Sequence, residues 1–313
     1  MLYLVLSLWI INALIILFEK RNLRILIYTG AFGLISALAF LLMGSPDVAM
    51  AEAAISAFTM VFFIVCLNRY YGLGADIKDT KQGASPKKVN YFTRYGLPLL
   101  FTLGSMALFV YFIPDNVVNP YLKDLYLFRF MEDVGGYNPV TAIYLRYRVY
   151  DTMFEALMLV IAVVAAIHLS KFGEAAVKEG QQSEIANVGM AIFALRITSP
   201  ILLLFGIYLI ANGHISAGGG FQGGLLIAIF FVVRYMVYNV YDLPVDKIVK
   251  IEKAVFITIA LLSTVVVFQG LWTIMDSPPY QEIFLIFMNI LIGAKVACSF
   301  IILFYRFIAI ERK

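Results

Sequence analysis

The chain has 313 residues, 62% of them hydrophobic and 14% charged, with a formal net charge of +4 and a mean hydropathy of +0.88. A soluble domain carries about 45–50% apolar and about 25% charged residues. One soluble core cannot hide this much apolar surface, so lipid must solvate part of it and nucleic acid is not an expected partner. The cysteines Cys66 and Cys298 lie in apolar runs without CxxC spacing and read as small hydrophobes. His168 and His214 are too few for a haem or metal set of the usual type. No nucleotide fingerprint or catalytic triad occurs, so no catalytic centre, cofactor or metal site is expected.

Apolar runs of roughly 20 residues can cross about 30 Å of hydrocarbon. In chain order they fall at 2–18, 23–43, 47–69, 93–113, 151–169, 190–212, 221–239, 251–275 and 282–308. The predicted fold class is all-α, a polytopic, multi-pass integral membrane protein with about nine transmembrane helices. The first run is followed by Glu19, Lys20 and Arg21 instead of a small-residue cleavage site, and reads as a membrane helix. Lys20, Arg21, Arg24, Lys78, Lys81, Lys87, Lys88, Lys171, Lys178, Lys247, Lys250, Lys253, Arg312 and Lys313 fall on one side of the membrane in this scheme. Lys123, Arg129, Arg146 and Arg148 share one long loop on the other. Basic loops favour the cytoplasm, which places the N-terminus outside and the C-terminus in the cytoplasm.

Polar stretches at 70–92 and 171–189 read as linkers. They divide the chain into a three-helix block at 1–75, a two-helix block with a long external loop at 76–180, and a four-helix block at 181–313. The loop 114–150 is long for a bare connection and carries Tyr121, Tyr126, Phe128, Phe130 and Tyr137. It predicts a short interfacial segment packed on the helices or on a neighbour.

Ionisable side chains inside spans are costly, so each is a candidate functional residue. Asp47 and Glu52 lie in the third run, Asp151 and Glu155 in the fifth, Arg196 in the sixth, Arg234 in the seventh and Lys295 in the ninth. Asp47 follows Ser45-Pro46, where an acid complements the helix dipole, and Asp151 is read the same way. Glu52 lies about 7.5 Å deeper than Asp47. Asp151 and Glu155 share one helix face. A cation or proton role is assigned to Glu52 and Glu155. Lys295 sits about 13 residues from either end of its run, too far to snorkel. It needs a carboxylate, a wet cavity or a depressed pKa. Arg196 and Arg234 are close enough to the surface to anchor there. His168 and His214 have the intrinsic pKa to titrate near neutrality.

The stretch 212–224 reads Asn-Gly-His-Ile-Ser-Ala-Gly-Gly-Gly-Phe-Gln-Gly-Gly. It lacks the Gly-Lys-Ser/Thr ending and the preceding strand of a phosphate loop. Gly218, Gly219 and Gly220 permit positive φ, and Gly223 and Gly224 permit close helix approach. Two readings stand: a tightly packed hairpin turn, or unwound backbone whose carbonyls bind a cation.

Three segments resemble the multisubunit Mrp-type sodium/proton antiporters and the related membrane modules of energy-converting hydrogenases and sulfane sulfur reductases. Residues 44–52, Gly-Ser-Pro-Asp-Val-Ala-Met-Ala-Glu, resemble a motif in the C-terminal part of the A-type Mrp chain. Residues 147–155, Tyr-Arg-Val-Tyr-Asp-Thr-Met-Phe-Glu, resemble a second motif of that A-type chain. Residues 213–224 are similar to the glycine-rich turn of the B-type Mrp chain, with Ala217 where that family often has Pro. The resemblance implies a cell-membrane subunit working beside antiporter-like and small Mrp-type chains, with hydrogenase-type redox subunits in some assemblies. By the resemblance Asp47, Glu52, Asp151 and Glu155 would be acidic pathway residues and His214 would open the signature turn; Lys295 and His214 are added to the ion-translocation candidates on their own chemistry, with a structural ion pair as the other reading of Lys295. Gly218, Gly219, Gly220, Phe221, Gln222, Gly223 and Gly224 would form the signature turn, and a transient Na+ would be the only ligand. The alternative is a passive scaffold bridging antiporter-like neighbours.

Overall fold

Every regular element among the described residues is helical. The structure, a computed structural model, describes residues 1–71, 96–111, 120–173, 189–238, 243–268 and 278–308. Most of both expected linkers, the basic residues Lys78, Lys81, Lys87, Lys88, Lys178, Arg312 and Lys313, and the end of the expected 251–275 span lie outside them.

The first block holds α1 (Leu2–Phe18), α2 (Asn22–Leu42) and α3 (Pro46–Tyr71). Trp9 stacks on Phe32 with ring centroids 4.6 Å apart, and its indole Nε1 donates to Ser36 Oγ at 2.7 Å. These contacts join α1 to α2 through a ring that has both an apolar face and a polar edge. The chain turns at Gly44, whose φ of 77° favours glycine, and Pro46 opens α3.

The second block holds α4 (Leu97–Tyr111), the short helices α5 (Pro120–Phe128), α6 (Phe130–Val134) and α7 (Pro139–Ala142), a π-helical turn at Ile143–Tyr147, and α8 (Val149–Gly173). The expected segment in the long loop is present. Phe130, Val134, Ala142 and Leu145 are buried there, within the same apolar cluster as Leu285 and Met288.

The third block holds α9 (Gly189–Asn212), α10 (Gly220–Tyr238), α11 (Val245–Val267) and α12 (Pro278–Ile308). Pro200 interrupts α9. A proline lacks the N–H that would reach the Arg196 carbonyl, and Ser199 Oγ donates to that carbonyl at 3.2 Å instead. α12 is the axis of the molecule. Of its span, 61% is buried, against 17–22% for the other long apolar helices. Large apolar side chains elsewhere face outward, as a lipid solvent permits.

Five helices among the described residues are long and apolar enough to cross a membrane: Asn22–Leu42, Pro46–Leu67, Val149–Leu169, Phe193–Asn212 and Tyr280–Phe307. Leu2–Phe18, Leu99–Leu108 and Gly220–Tyr235 are apolar but shorter. α11 has 23 residues, but its first turns carry Asp246, Lys247, Lys250, Glu252 and Lys253.

Candidate functional site

The glycine-rich turn between α9 and α10 is gripped by residues from all three blocks. Gly218 and Gly219 adopt φ of 153° and 142°, which an L side chain rarely tolerates. That conformation aims the Gly218 N–H at the Asp47 carboxylate, and Oδ1 accepts it at 3.0 Å. Asp47 therefore caps a turn on another helix as well as sitting in the first turn of its own. The Gln222 side chain donates to the Asp47 carbonyl at 3.3 Å.

Asn138 completes the grip. Its side-chain oxygen accepts from Val140 N at 2.9 Å and so caps α7, with Pro139 at the first helical position. Its Nδ2 lies 3.1 Å from Asp47 Oδ1, 3.1 Å from the Gly213 carbonyl and 3.0 Å from the Ser216 carbonyl. One amide nitrogen with two hydrogens thus serves three oxygens. Thr141 Oγ1 donates to the Gly213 carbonyl at 2.6 Å. Tyr144 OH donates to Asn289 Oδ1 at 2.9 Å, and Gly220 N donates to the same oxygen at 3.1 Å. Burial, above all, pushes the Tyr144 phenol well up from its ordinary value, so it stays a donor.

His214 is 4% exposed. Its carbonyl accepts from Tyr137 N and Asn138 N at 2.9 and 3.0 Å, and its Nε2 lies 3.1 Å from Glu282 Oε1. The turn then leads into close helix packing. A Cβ built on Gly224 would stand 2.5 Å from the Gly293 carbonyl oxygen, so α10 and α12 touch backbone to backbone there.

The second polar site lies between α11 and α12. Lys295 is 1% exposed and its ammonium pairs with Glu252, which is fully buried. Lys295 Nζ also donates to Ser299 Oγ at 3.1 Å and lies 5.9 Å from the centroid of the Phe256 ring. The expected need of Lys295 for a carboxylate is met by a residue that the pattern of apolar runs passes over.

The other expected residues are more dispersed. Glu52 is half-buried where α3 crosses α2, its Oε1 close to Gly33. Asp151 is exposed and pairs with Arg148 at 2.6 Å. Glu155 is exposed one turn further along α8. Phe221 sits edge-on to Phe300, with centroids 6.4 Å apart. Asp47, His214 and Gly218 to Gly220 come together; Glu52, Asp151 and Glu155 do not join them. Asn138, Thr141, Tyr144, Asn289 and Glu252 are not singled out by the sequence. All but Glu252 are neutral polar residues, and only burial among apolar neighbours marks them.

The apolar helices, with buried acids, a buried lysine and a clasped glycine turn among them, define an all-helical membrane protein. Residues 190–311 match the family model of a domain related to the MnhB subunit of Na+/H+ antiporter, and residues 7–71 match that of MbhD, the D chain of MBH. A Staphylococcus haemolyticus protein named as antiporter subunit mnhA2 is 28% identical over 147 residues, 47% of this chain and 17% of the relative. A Rhizobium meliloti protein named as the A/B chain of a K+/H+ antiporter is 22% identical over 242 residues, 69% of this chain and 24% of the relative. The Mrp complex from Dietzia sp. contains a chain of similar fold, with a TM-score of 0.68 and 18% identity over 95% of this chain and 34% of that one. The chain spans about a fifth of the length of the two bacterial relatives. Two stretches of the chain are thus similar to membrane subunits of Mrp-type cation/proton antiporters and of MBH.

Proposed function

We propose that the chain is a subunit of a multisubunit cation/proton antiporter module in the cell membrane, where it helps to form the sodium and proton path. It would cross the membrane about nine times, with its N-terminus outside and its C-terminus in the cytoplasm. Its blocks at 1–75, 76–180 and 181–313 would correspond to small membrane subunits joined in one chain. Antiporter-like and small Mrp-type chains would be its partners, with redox subunits added where the complex is redox-driven, and Na+ would bind only in passage. The observation that carries this reading is Lys295, an ammonium 1% exposed within an apolar bundle. Such a charge is expensive in lipid and is retained where ions move. Glu52, Asp151 and Glu155, and at the turn Asp47 and His214, would also line the route.

The test is sodium/proton exchange in membrane vesicles from cells lacking the chain, complemented with the native form, Glu52→Gln, Glu155→Gln or Lys295→Ala. The native form restores exchange and the variants lower it per assembled complex, Lys295→Ala being compared at equal assembled amount because it strands the buried Glu252 carboxylate. Unchanged exchange in all three would sink the residue assignments.

One observation favours the scaffold reading for part of the site. Asp47 Oδ1 is occupied by Gly218 N and Asn138 Nδ2, the pattern of a structural clasp. On that reading Asp47→Asn leaves exchange intact, whereas Lys295→Ala does not.

A further inference from the structure

The pair between α11 and α12 is not fully satisfied. Lys295 Nζ and Ser299 Oγ both turn to Glu252 Oε1, the hydroxyl at 3.4 Å. Glu252 Oε2 is buried without a hydrogen-bond partner among the described residues. A buried carboxylate oxygen is normally held by a further donor, from protein or from water. A static pair could be replaced by apolar side chains at little cost. One acceptor without a partner among the described residues, beside a buried ammonium, gives an arriving proton a place to bind.

The position fits transit. Arg306 and Asp246 meet at 3.4 Å at one end of the helix pair, where Asp246 is 84% exposed. Lys295 lies eleven residues from Arg306, about 16 Å along α12. In the other direction, Ser263 Oγ on α11 and Asn289 Nδ2 on α12 are buried and without partners among the described residues. Asn289 is about 9 Å along the axis from Lys295. Its Oδ1 is already held by Tyr144 and Gly220 of the glycine turn. Buried polar atoms of this kind take water when the site admits it. Asn289 thus ties the glycine turn to the helix that carries Lys295.

We propose that Glu252 and Lys295 are a proton-exchange pair, in which Glu252 takes a proton on Oε2 and Lys295 then releases one from Nζ. This rests on the antiporter reading and adds to it the proton acceptor, Glu252, and the order of events. The balance is simple. A hydrated proton forms the O–H bond on Oε2, which neutralises the carboxylate. The Lys295 ammonium then has no counter-charge in an apolar site, and one N–H bond breaks to pass its proton onward. Transfer of the carboxyl proton to the neutral amine restores the ion pair. One proton has entered and one has left.

The test uses the assembled complex reconstituted in vesicles, with Glu252→Asp, Glu252→Gln and the neutral double variant Glu252→Gln/Lys295→Met. The double variant removes both charges and so assembles even if Glu252→Gln alone does not. It is expected to lower proton transport on the order of 100-fold, the usual scale for loss of a proton-transfer group. The pH-difference infrared spectrum of the wild type is expected to show a buried carboxylic acid band that shifts in Glu252→Asp. Full-rate transport in the assembled double variant, or an infrared spectrum identical in wild type and Glu252→Asp, overturns the proposal. No exchange in wild-type vesicles instead defeats the antiporter reading, and the infrared result still decides whether Glu252 takes a proton.

Discussion

Replacing Asp47 by alanine removes one acceptor and strands two donors. The Gly218 N–H and the Asn138 amide both reach Oδ1, at 3.0 and 3.1 Å, in a site where Asp47 is 7% exposed and Asn138 is 5% exposed. Leaving a buried polar group without a partner costs about 1–3 kcal/mol, so the two together set a penalty of about 2–6 kcal/mol. The Asn138 share is the smaller, because its Nδ2 keeps the Gly213 and Ser216 carbonyls. Asp47→Asn keeps the oxygen and loses only the charge that strengthens these bonds, a cost of about 1 kcal/mol. Thermal unfolding of the detergent-solubilised protein, followed by size-exclusion fluorescence, should rank wild type, Asp47→Asn and Asp47→Ala in falling order. Asn138→Ala should weaken the same clasp, so the double variant should lose less than the sum of the singles. A Tm for Asp47→Ala equal to that of wild type, or strict additivity with Asn138→Ala, would refute the clasp.

Other substitutions probe the packing and the buried pair. Gly224→Ala should cost about 1–3 kcal/mol, since its Cβ would meet the Gly293 backbone at 2.5 Å. Gly104→Ala on α4 has nothing within 4 Å of its Cβ and should stabilise by up to about 1 kcal/mol, and the two Tm shifts should have opposite signs. Lys295→Met alone strands the Glu252 carboxylate and should lower stability by about 3–5 kcal/mol, while adding Glu252→Gln should recover most of it; equal losses in single and double variants would contradict the pairing. Tyr144→Phe leaves Asn289 Oδ1 with only the Gly220 N–H and should cost about 0.5–1.5 kcal/mol, visible as faster amide exchange at Gly220.

Some of this is legible in the residues and some is not. Hydropathy marks helices wherever the chain must satisfy its own backbone in lipid, so the helical runs emerge directly. Lys295 stands out because no basic side chain could snorkel from that depth. Glu252 does not, because Lys247, Lys250 and Lys253 surround it in sequence and suggest a wet surface. The signal is nonetheless present. Glu252, Ile259, Ser263 and Val266 recur at helical spacing and are all buried, so Glu252 sits on the packed stripe of α11. Asp47 reads locally as complementing the dipole of its own helix, and its contact with Gly218, across 171 residues of chain, follows only from the tertiary fold. The spacing of Asp151 and Glu155 gives a shared face but not which face, and the structure turns both outward. Asn138 and Asn289 carry no charge to betray them. Nothing in local sequence separates a buried amide from an exposed one.

If the chain works as one of several membrane subunits that move ions, it should travel with them. Gentle-detergent purification from native membranes, followed by mass spectrometry of the co-purifying chains, tests this most directly. Antiporter-like membrane subunits are expected in constant proportion to this chain, with or without redox subunits. Recovery of the chain alone, stable and without membrane partners, would contradict that role.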